Sequence, residues 1–284
     1  MAKTIAIGNQ KGGVGKSTLT VNLGAALAKA GERVLLVDMD PSGNLTAGLG
    51  YPRNLSLTVE SLMREVAIEA NPTYEETVLH HEEGMDLLPA NKLLTGMELW
   101  LQTVEDNKTV LKDVLSHFND DYEYILIDCM PSLGMLTLNA FTAADEILVP
   151  VQPQRFAVEG LQELMRTVER VKKTSNADLT IRGIIFSLDS NVRSNERMYR
   201  EAVRKTYGDR IRIFDRTIPN YSKIAEAPNE GHSVLWYEPN GIPAEIFESI
   251  AETIREEHHE EEINYCVNQW ASQFQNCIGT AQRK

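Results

Sequence analysis

The chain has 284 residues and a formal net charge of −13, so it is long enough to bury a sizeable core. Its acidity speaks against non-specific nucleic-acid binding by an evenly charged surface, and it has no run of about 18 apolar residues to suggest a membrane span. Its three cysteines, Cys129, Cys266 and Cys277, lack metal-type spacing and read as reduced thiols of a cytosolic protein.

In chain order, apolar runs alternate with helical patterns. Thr4 to Gly8 reads as a strand, starting so early that neither a signal peptide nor an N-terminal helix-turn-helix arm is expected. A glycine-rich turn follows, then a helix over Ser17 to Ala30 that Gly31 can cap. Further strands are expected at Arg33 to Val37, Met85 to Pro89, Tyr124 to Asp128, Glu146 to Val151, Ile181 to Ser187 and Ile211 to Phe214. Helices are expected between Gly96 and Phe118 and over Ala157 to Lys173, Glu196 to Tyr207 and Ala244 to Glu257. Tyr51 to Glu83 is the least regular stretch and predicts short helices over one edge. The alternation gives an α/β fold class: a single-domain, mostly parallel twisted sheet flanked by helices on both faces, over residues 1–257. Residues 258–284 read as an acidic segment and an amphipathic tail.

The turn after the first strand reads Lys11-Gly12-Gly13-Val14-Gly15-Lys16-Ser17-Thr18, a phosphate-binding loop in its required setting between strand and helix. Glycines let successive N–H groups converge on one anion, and the helix N-terminus adds a favourable dipole. Lys16 would reach the β- and γ-phosphates of ATP, and the Ser17 hydroxyl would sit on Mg²⁺. The ordinary pattern has glycine at position 10. Here Gln10 stands there and Lys11 follows, a lysine that cradling the phosphates does not require. Two later strands end in carboxylates, Val37-Asp38-Met39-Asp40 and Ile127-Asp128, at the strand ends where α/β proteins bind ligands. Asp128 has the form of a Walker B aspartate that holds Mg²⁺. One strand-terminal aspartate is more often a cap or turn residue; two of them downstream of a phosphate loop point to ATP and Mg²⁺.

Four segments carry a resemblance: Lys11 to Thr18, Val37 to Asn44, Asp128-Cys129-Met130-Pro131-Ser132-Leu133-Gly134, and Ala225-Glu226-Ala227-Pro228. In order and spacing, from residue 1 to about 255, they resemble the deviant-Walker-A P-loop ATPases of the ParA/MinD family, in particular the short, Soj-like partition ATPases. The resemblance implies slow ATP hydrolysis stimulated by a ParB-like centromere-binding protein, and an ATP-sandwiched homodimer. It makes Lys11 the signature lysine that touches the partner's nucleotide, where a cation supplied in trans would stabilise the transferring phosphoryl group. Asp40 would position the attacking water, and Asp38 would join Ser17 and Asp128 at the metal. Family members usually read Asp-x-Pro-Pro where this chain has Met130, so a looser turn is expected beside the γ-phosphate. Cys129 reads as packing.

Charge is unevenly spread. Arg193 to Lys223 carries nine basic residues against four acids, whereas Ala244 to Glu262 holds eight glutamates and one arginine. A solvated helix face explains such a run as readily as a binding patch. The resemblance implies DNA contact at Arg193 and Lys223, with Arg197 and Arg216 in the same patch, suited to phosphates rather than bases. Non-specific double-stranded DNA is therefore the expected partner, with a cytoplasmic, nucleoid-associated location and partition of DNA as the function. The resemblance also sets Pro219 and Asn220 against the adenine.

His258 and His259, among glutamates, read as part of a solvated acidic helix rather than a metal site. Ile263, Val267, Trp270, Phe274 and Ile278 recur at helical spacing and predict a stripe that docks on the body or a protein partner. A MinD-like membrane-cycling regulator is the alternative. Residues 263–278 contain no Lys or Arg and follow three glutamates, so no membrane partner is expected. A metal-cluster reductase on the same fold would need paired interface cysteines, and only Cys129 precedes the tail.

Overall fold

The computed structural model describes residues 2–189 and 194–281, except for the side chains of residues 194, 261, 262 and 264–281. β1 (Lys3–Ile7) leads through the glycine loop into α1 (Lys16–Lys29) and back to β2 (Val34–Met39). Three short helices, α2 (Asn44–Gly48), α3 (Val59–Ala67) and α4 (Tyr74–Thr77), precede the hairpin of β3 (Leu79–His80) and β4 (Met85–Leu88). Next come α5 (Leu94–Trp100), α6 (Val110–Ser116), β5 (Tyr124–Cys129), α7 (Met135–Ala143), β6 (Glu146–Val151), α8 (Ala157–Thr174) and β7 (Thr180–Phe186). The described chain continues with α9 (Ser194–Tyr207), α10 (Ser222–Glu226), α11 (Val234–Tyr237) and α12 (Ile242–Ala281).

The strands form one sheet in the order β3-β4-β2-β5-β1-β6-β7. Every neighbouring pair is parallel except β3 with β4. β2, β5 and β6 are buried at every residue, which is why their sequences are nearly unbroken apolar runs. Alternation divides them between two cores. Val34, Leu36, Tyr124 and Leu126 join Leu23 and Leu27 of α1 and Phe247 and Ile254 of α12 on one face. Leu35, Val37, Ile125 and Ile127 join Leu62 of α3, Val114 of α6 and Phe141 of α7 on the other.

Besides several short elements the sequence did not predict, such as β3, α2, α10 and α11, three differences from the sequence reading stand out. Ile211 to Phe214 does not form a strand. It meets β7 in one bridge, Ile184 with Ile213, and beyond both segments Asp189 bridges Pro219. The register slips by one residue between the two bridges, which interrupts the ladder. α7 lies where no helix was expected. Leu136 to Thr142 are all buried, so no polar stripe exists for periodicity to reveal.

The third difference concerns the C-terminus. α12 is continuous through residues 257 and 258. His258, expected to be solvated, is buried, with Nδ1 3.2 Å from the Tyr124 hydroxyl. Ala244, Phe247, Ala251, Ile254 and His258 form one continuous buried face on this helix. Ile263 is exposed, and the rest of the expected stripe to Ile278 lies outside the described side chains.

Gly8, between β1 and the phosphate loop, allows α7 to pack closely. A Cβ there would meet Phe141 Cε1 at 2.8 Å, and Phe141 is fully buried. Gly8→Ala is expected to destabilise the protein by about 1–3 kcal/mol through overpacking. Urea denaturation should show a lower midpoint with an unchanged slope.

Candidate nucleotide site

β1 lies between β5 and β6 and delivers the glycine loop to the carboxyl edge of the sheet. Gly13 and Gly15 take φ of 70° and 83°, the left-handed region that side chains disfavour. α1 starts at Lys16 with no side chain capping its first turn, so its N–H groups and dipole face the loop. Three polar side chains fix this geometry. Asn9 donates through Nδ2 to the Pro150 carbonyl at 2.7 Å and accepts the Lys11 N–H at 2.9 Å. Ser187 at the end of β7 donates its hydroxyl to the Val14 carbonyl at 2.7 Å. Asn22 of α1 donates to the Thr18 carbonyl and accepts the Val234 N–H, each at 2.7 Å. The sequence reading gave none of them a role in holding the loop. An asparagine two residues before a loop N–H is an Asx-turn signal that could have found Asn9.

The acidic side of the site comes from β2 and β5, where Asp38 pairs in register with Asp128. Asp128 is fully buried, and among the described residues neither of its carboxylate oxygens makes a hydrogen bond of ordinary geometry, although the Ser17 hydroxyl lies close enough to favour its charged form. Burial, then the neighbouring Asp38 charge, push its pKa well above the ordinary carboxylate range, against the pull of Ser17 and Lys16. Asp38 is also buried but is satisfied. Its Oδ2 accepts from the Thr46 hydroxyl at 2.7 Å and the Thr46 N–H at 2.9 Å, and its Oδ1 accepts from the Asp40 N–H at 3.1 Å. Burial pushes its pKa up to about 6, even against those donors. Lys16 is buried beside these acids and donates to the Lys11 carbonyl at 3.2 Å. Desolvation lowers its pKa, while Asp128, Cys129 and Asp40 oppose the shift. The Cys129 thiol is pushed up by burial and is therefore inert.

A cavity of about 440 Å³ opens over the loop, lined by Gly12, Gly13, Gly15, Lys16, Ser17, Thr18 and Asp40. Leu188 and Pro228 close its far wall. Asp40 is held by the Ser42 N–H, 2.8 Å from its Oδ1. Lys11 is exposed at the loop entrance. Pro219 and Asn220 do not line this cavity. They are tied instead to Asp189, next to the lining residue Leu188.

Arg197 and Arg216 are exposed, with Arg197 paired to Glu201 at 3.1 Å. Lys223 reaches Glu226 at 3.2 Å and lies over the Tyr237 ring. Arg193 lies outside the described residues. Two other arginines of the basic run serve the fold: Arg200 pairs with Asp189, and Arg212 pairs with Glu257 of α12. No described helix is long and apolar enough to cross a membrane.

Residues 2–181 match a family model described as an AAA domain. The chain is 39% identical over 255 residues to the sporulation initiation inhibitor protein Soj of Bacillus subtilis, covering 89% of this chain and 98% of that one. It is 42% identical over 238 residues to the chromosome partitioning protein ParA of Caulobacter vibrioides, covering 83% and 87% respectively. The chain belongs to the ParA/MinD family of Soj-like partition ATPases. A solved structure, cobyrinic acid a,c-diamide synthase from Mycobacterium smegmatis with bound ATP analog and magnesium, superposes with a TM-score of 0.78. It is 32% identical and covers 89% of this chain and 94% of its own.

In this ParA/MinD chain the donor set fits Mg²⁺, because a buried carboxylate that makes no hydrogen bond of ordinary geometry among the described residues, beside a serine hydroxyl, is what a hard cation requires. Ser17 and Asp128 would hold the ion, which when bound would neutralise charge on the phosphate oxygens. The same feature fixes a pH dependence. The folded state binds the Asp128 proton more tightly than the unfolded chain, so ionisation penalises folding above the folded pKa, and the penalty disappears at low pH. Asp128→Asn should stabilise the nucleotide-free protein at neutral pH, with the gain shrinking as pH falls toward the unperturbed 3.8. Urea denaturation at neutral and acid pH checks this.

Proposed function

We propose that the protein partitions DNA as an ATP-bound homodimer that holds double-stranded DNA non-specifically and releases it on hydrolysis. A ParB-like centromere-binding protein would stimulate the intrinsically slow step. The observation that carries this reading is two lysines with opposite surroundings on one loop. Lys16 is buried among carboxylates and serves the phosphates of its own chain. Lys11 is exposed and its backbone N–H is anchored on Asn9, so its ammonium can reach the nucleotide of a second copy. A cation supplied across a dimer stabilises phosphoryl transfer as an arginine finger does.

Within one site, the N–H groups from Gly12 to Thr18, with Val14 buried as the turn's pivot, bind phosphate oxygens. Asp40 lines the same cavity as Lys16 and orients the attacking water. Asp38 holds the Asp40 turn and the start of α2 rather than offering a lone pair to the metal. Leu188 and Pro228 face the base, with Pro219 and Asn220 supporting them through Asp189. DNA phosphates are met by Arg197, Arg216 and Lys223, together with Arg193. The Soj and ParA relatives support the partition role, and a nucleoid-associated cytoplasmic location follows from it.

DNA co-sedimentation with ATP·Mg²⁺ and with ADP tests the reading. Binding is expected only with ATP, falling about 10³–10⁵-fold between 50 and 200 mM salt if the dimer makes six to ten phosphate contacts. Lys11→Ala should bind nucleotide and lose DNA. Equal DNA binding in both nucleotide states, or an unaffected Lys11→Ala, would overturn it.

A further inference from the structure

We propose that His81, Glu83 and His232 form a zinc-class transition-metal site, separate from the Mg²⁺ of the nucleotide, that staples the β3–β4 hairpin to the wall of the nucleotide cavity. The three side chains come from segments about 150 positions apart in sequence. Their donor atoms all lie within 4.8 Å of one another. Their side chains are only 6%, 9% and 11% exposed, which is unusual for two histidines and a glutamate. Glu83 Oε1 stands 3.3 Å from His232 Nδ1 and 3.9 Å from His81 Nδ1. A tetrahedral centre with bonds of about 2.0–2.1 Å sets its donors about 3.3 Å apart, so small shifts would close the site.

The surroundings match what metal ligands require. A ligating histidine holds its other ring nitrogen on an acceptor, and a ligating carboxylate is itself hydrogen-bonded. His81 does this through Nε2, 3.1 Å from the Gly231 carbonyl. Its Nδ1 accepts the Glu83 N–H at 3.3 Å, so that nitrogen carries a lone pair rather than a proton, and the metal would take that lone pair in place of the weak bond. His232 does the same through Nε2, 3.2 Å from Glu82 Oε1. Glu83 accepts the Ser233 N–H at 2.8 Å on Oε1 and the Ser233 hydroxyl on Oε2. The His232 ring is further fixed by stacking on Trp236 at 3.7 Å.

Both nitrogens of His232 face carboxylates, Nε2 that of Glu82 and Nδ1 that of Glu83. A dication in place of the inner proton satisfies both carboxylates and leaves the outer N–H on Glu82. Two imidazoles and one carboxylate suit Zn²⁺, with water completing four-coordination. His232 also lines the nucleotide cavity, with Ala227 and Pro228, so the metal would brace that wall.

The test uses the full-length protein, stripped with chelator and titrated with Co²⁺ as the spectroscopic probe and Zn²⁺ as competitor, in excess Mg²⁺. One equivalent of Co²⁺ should give tetrahedral d–d bands that Zn²⁺ abolishes, with a rise in melting temperature. His81→Gln keeps an amide donor for the Gly231 carbonyl and removes the metal lone pair, so it should fold and bind at least about 100-fold more weakly. Glu82→Gln should weaken binding by about 10–100-fold, and Asp128→Asn should leave the bands unchanged. Absent bands, bands unchanged in His81→Gln, or bands lost in Asp128→Asn would overturn the proposal.

Discussion

A carboxylate buried without a well-formed hydrogen bond is one of the more costly things a fold can contain, and among the described residues Asp128 at the end of β5 is buried in that way, with the Ser17 hydroxyl beside it. Much of the molecule is arranged around it. β5 lies between β1 and β2, so the phosphate loop and the Asp38–Asp40 turn emerge on either side of that oxygen pair. The ammonium of Lys16 is drawn into the same buried space, and Asp38 adds a second charge one strand away. Together they make a site that is electrostatically incomplete until a hard cation and a polyphosphate enter.

Rigid supports keep that incompleteness from collapsing the loop. Asn9, Ser187 and Asn22 fix the loop backbone, and Thr46 ties the Asp38 carboxylate. On the far side of the Asp128 turn, Glu98 of α5 accepts the Met135 and Leu136 N–H groups at 2.8 and 3.2 Å. It caps α7 and anchors the end of the segment that contains Met130. Met130 packs on the core, so the position where a proline is missing is held by apolar contact instead. The loop can therefore bind an anion without first having to order itself.

Much of this was legible in sequence because the central strands are buried on both faces and the phosphate loop has a fixed spacing. β1, β2, β5 and β6 appear within a residue or two of their expected ends. What escaped is what depends on three-dimensional proximity. α7 has no polar face, so no period marks it. The basic run is plain in sequence, but its division into ion pairs such as Arg212 with Glu257 is set by where α12 lies. His258 seemed one of a solvated run until α12 carried it against Tyr124. His81, Glu83 and His232 share no local pattern, and only the packing of the hairpin on the loop before α11 unites them.

The most direct test of the central claim is calorimetric titration of ATP into wild type and Asp128→Asn, with and without Mg²⁺. Wild type should bind ATP more tightly with Mg²⁺. Asp128→Asn should bind metal-free ATP at least as well as wild type, because a buried negative charge has gone, and should gain nothing from Mg²⁺. An equal gain from Mg²⁺ in both proteins would show that Asp128 does not hold the ion, and would contradict the account.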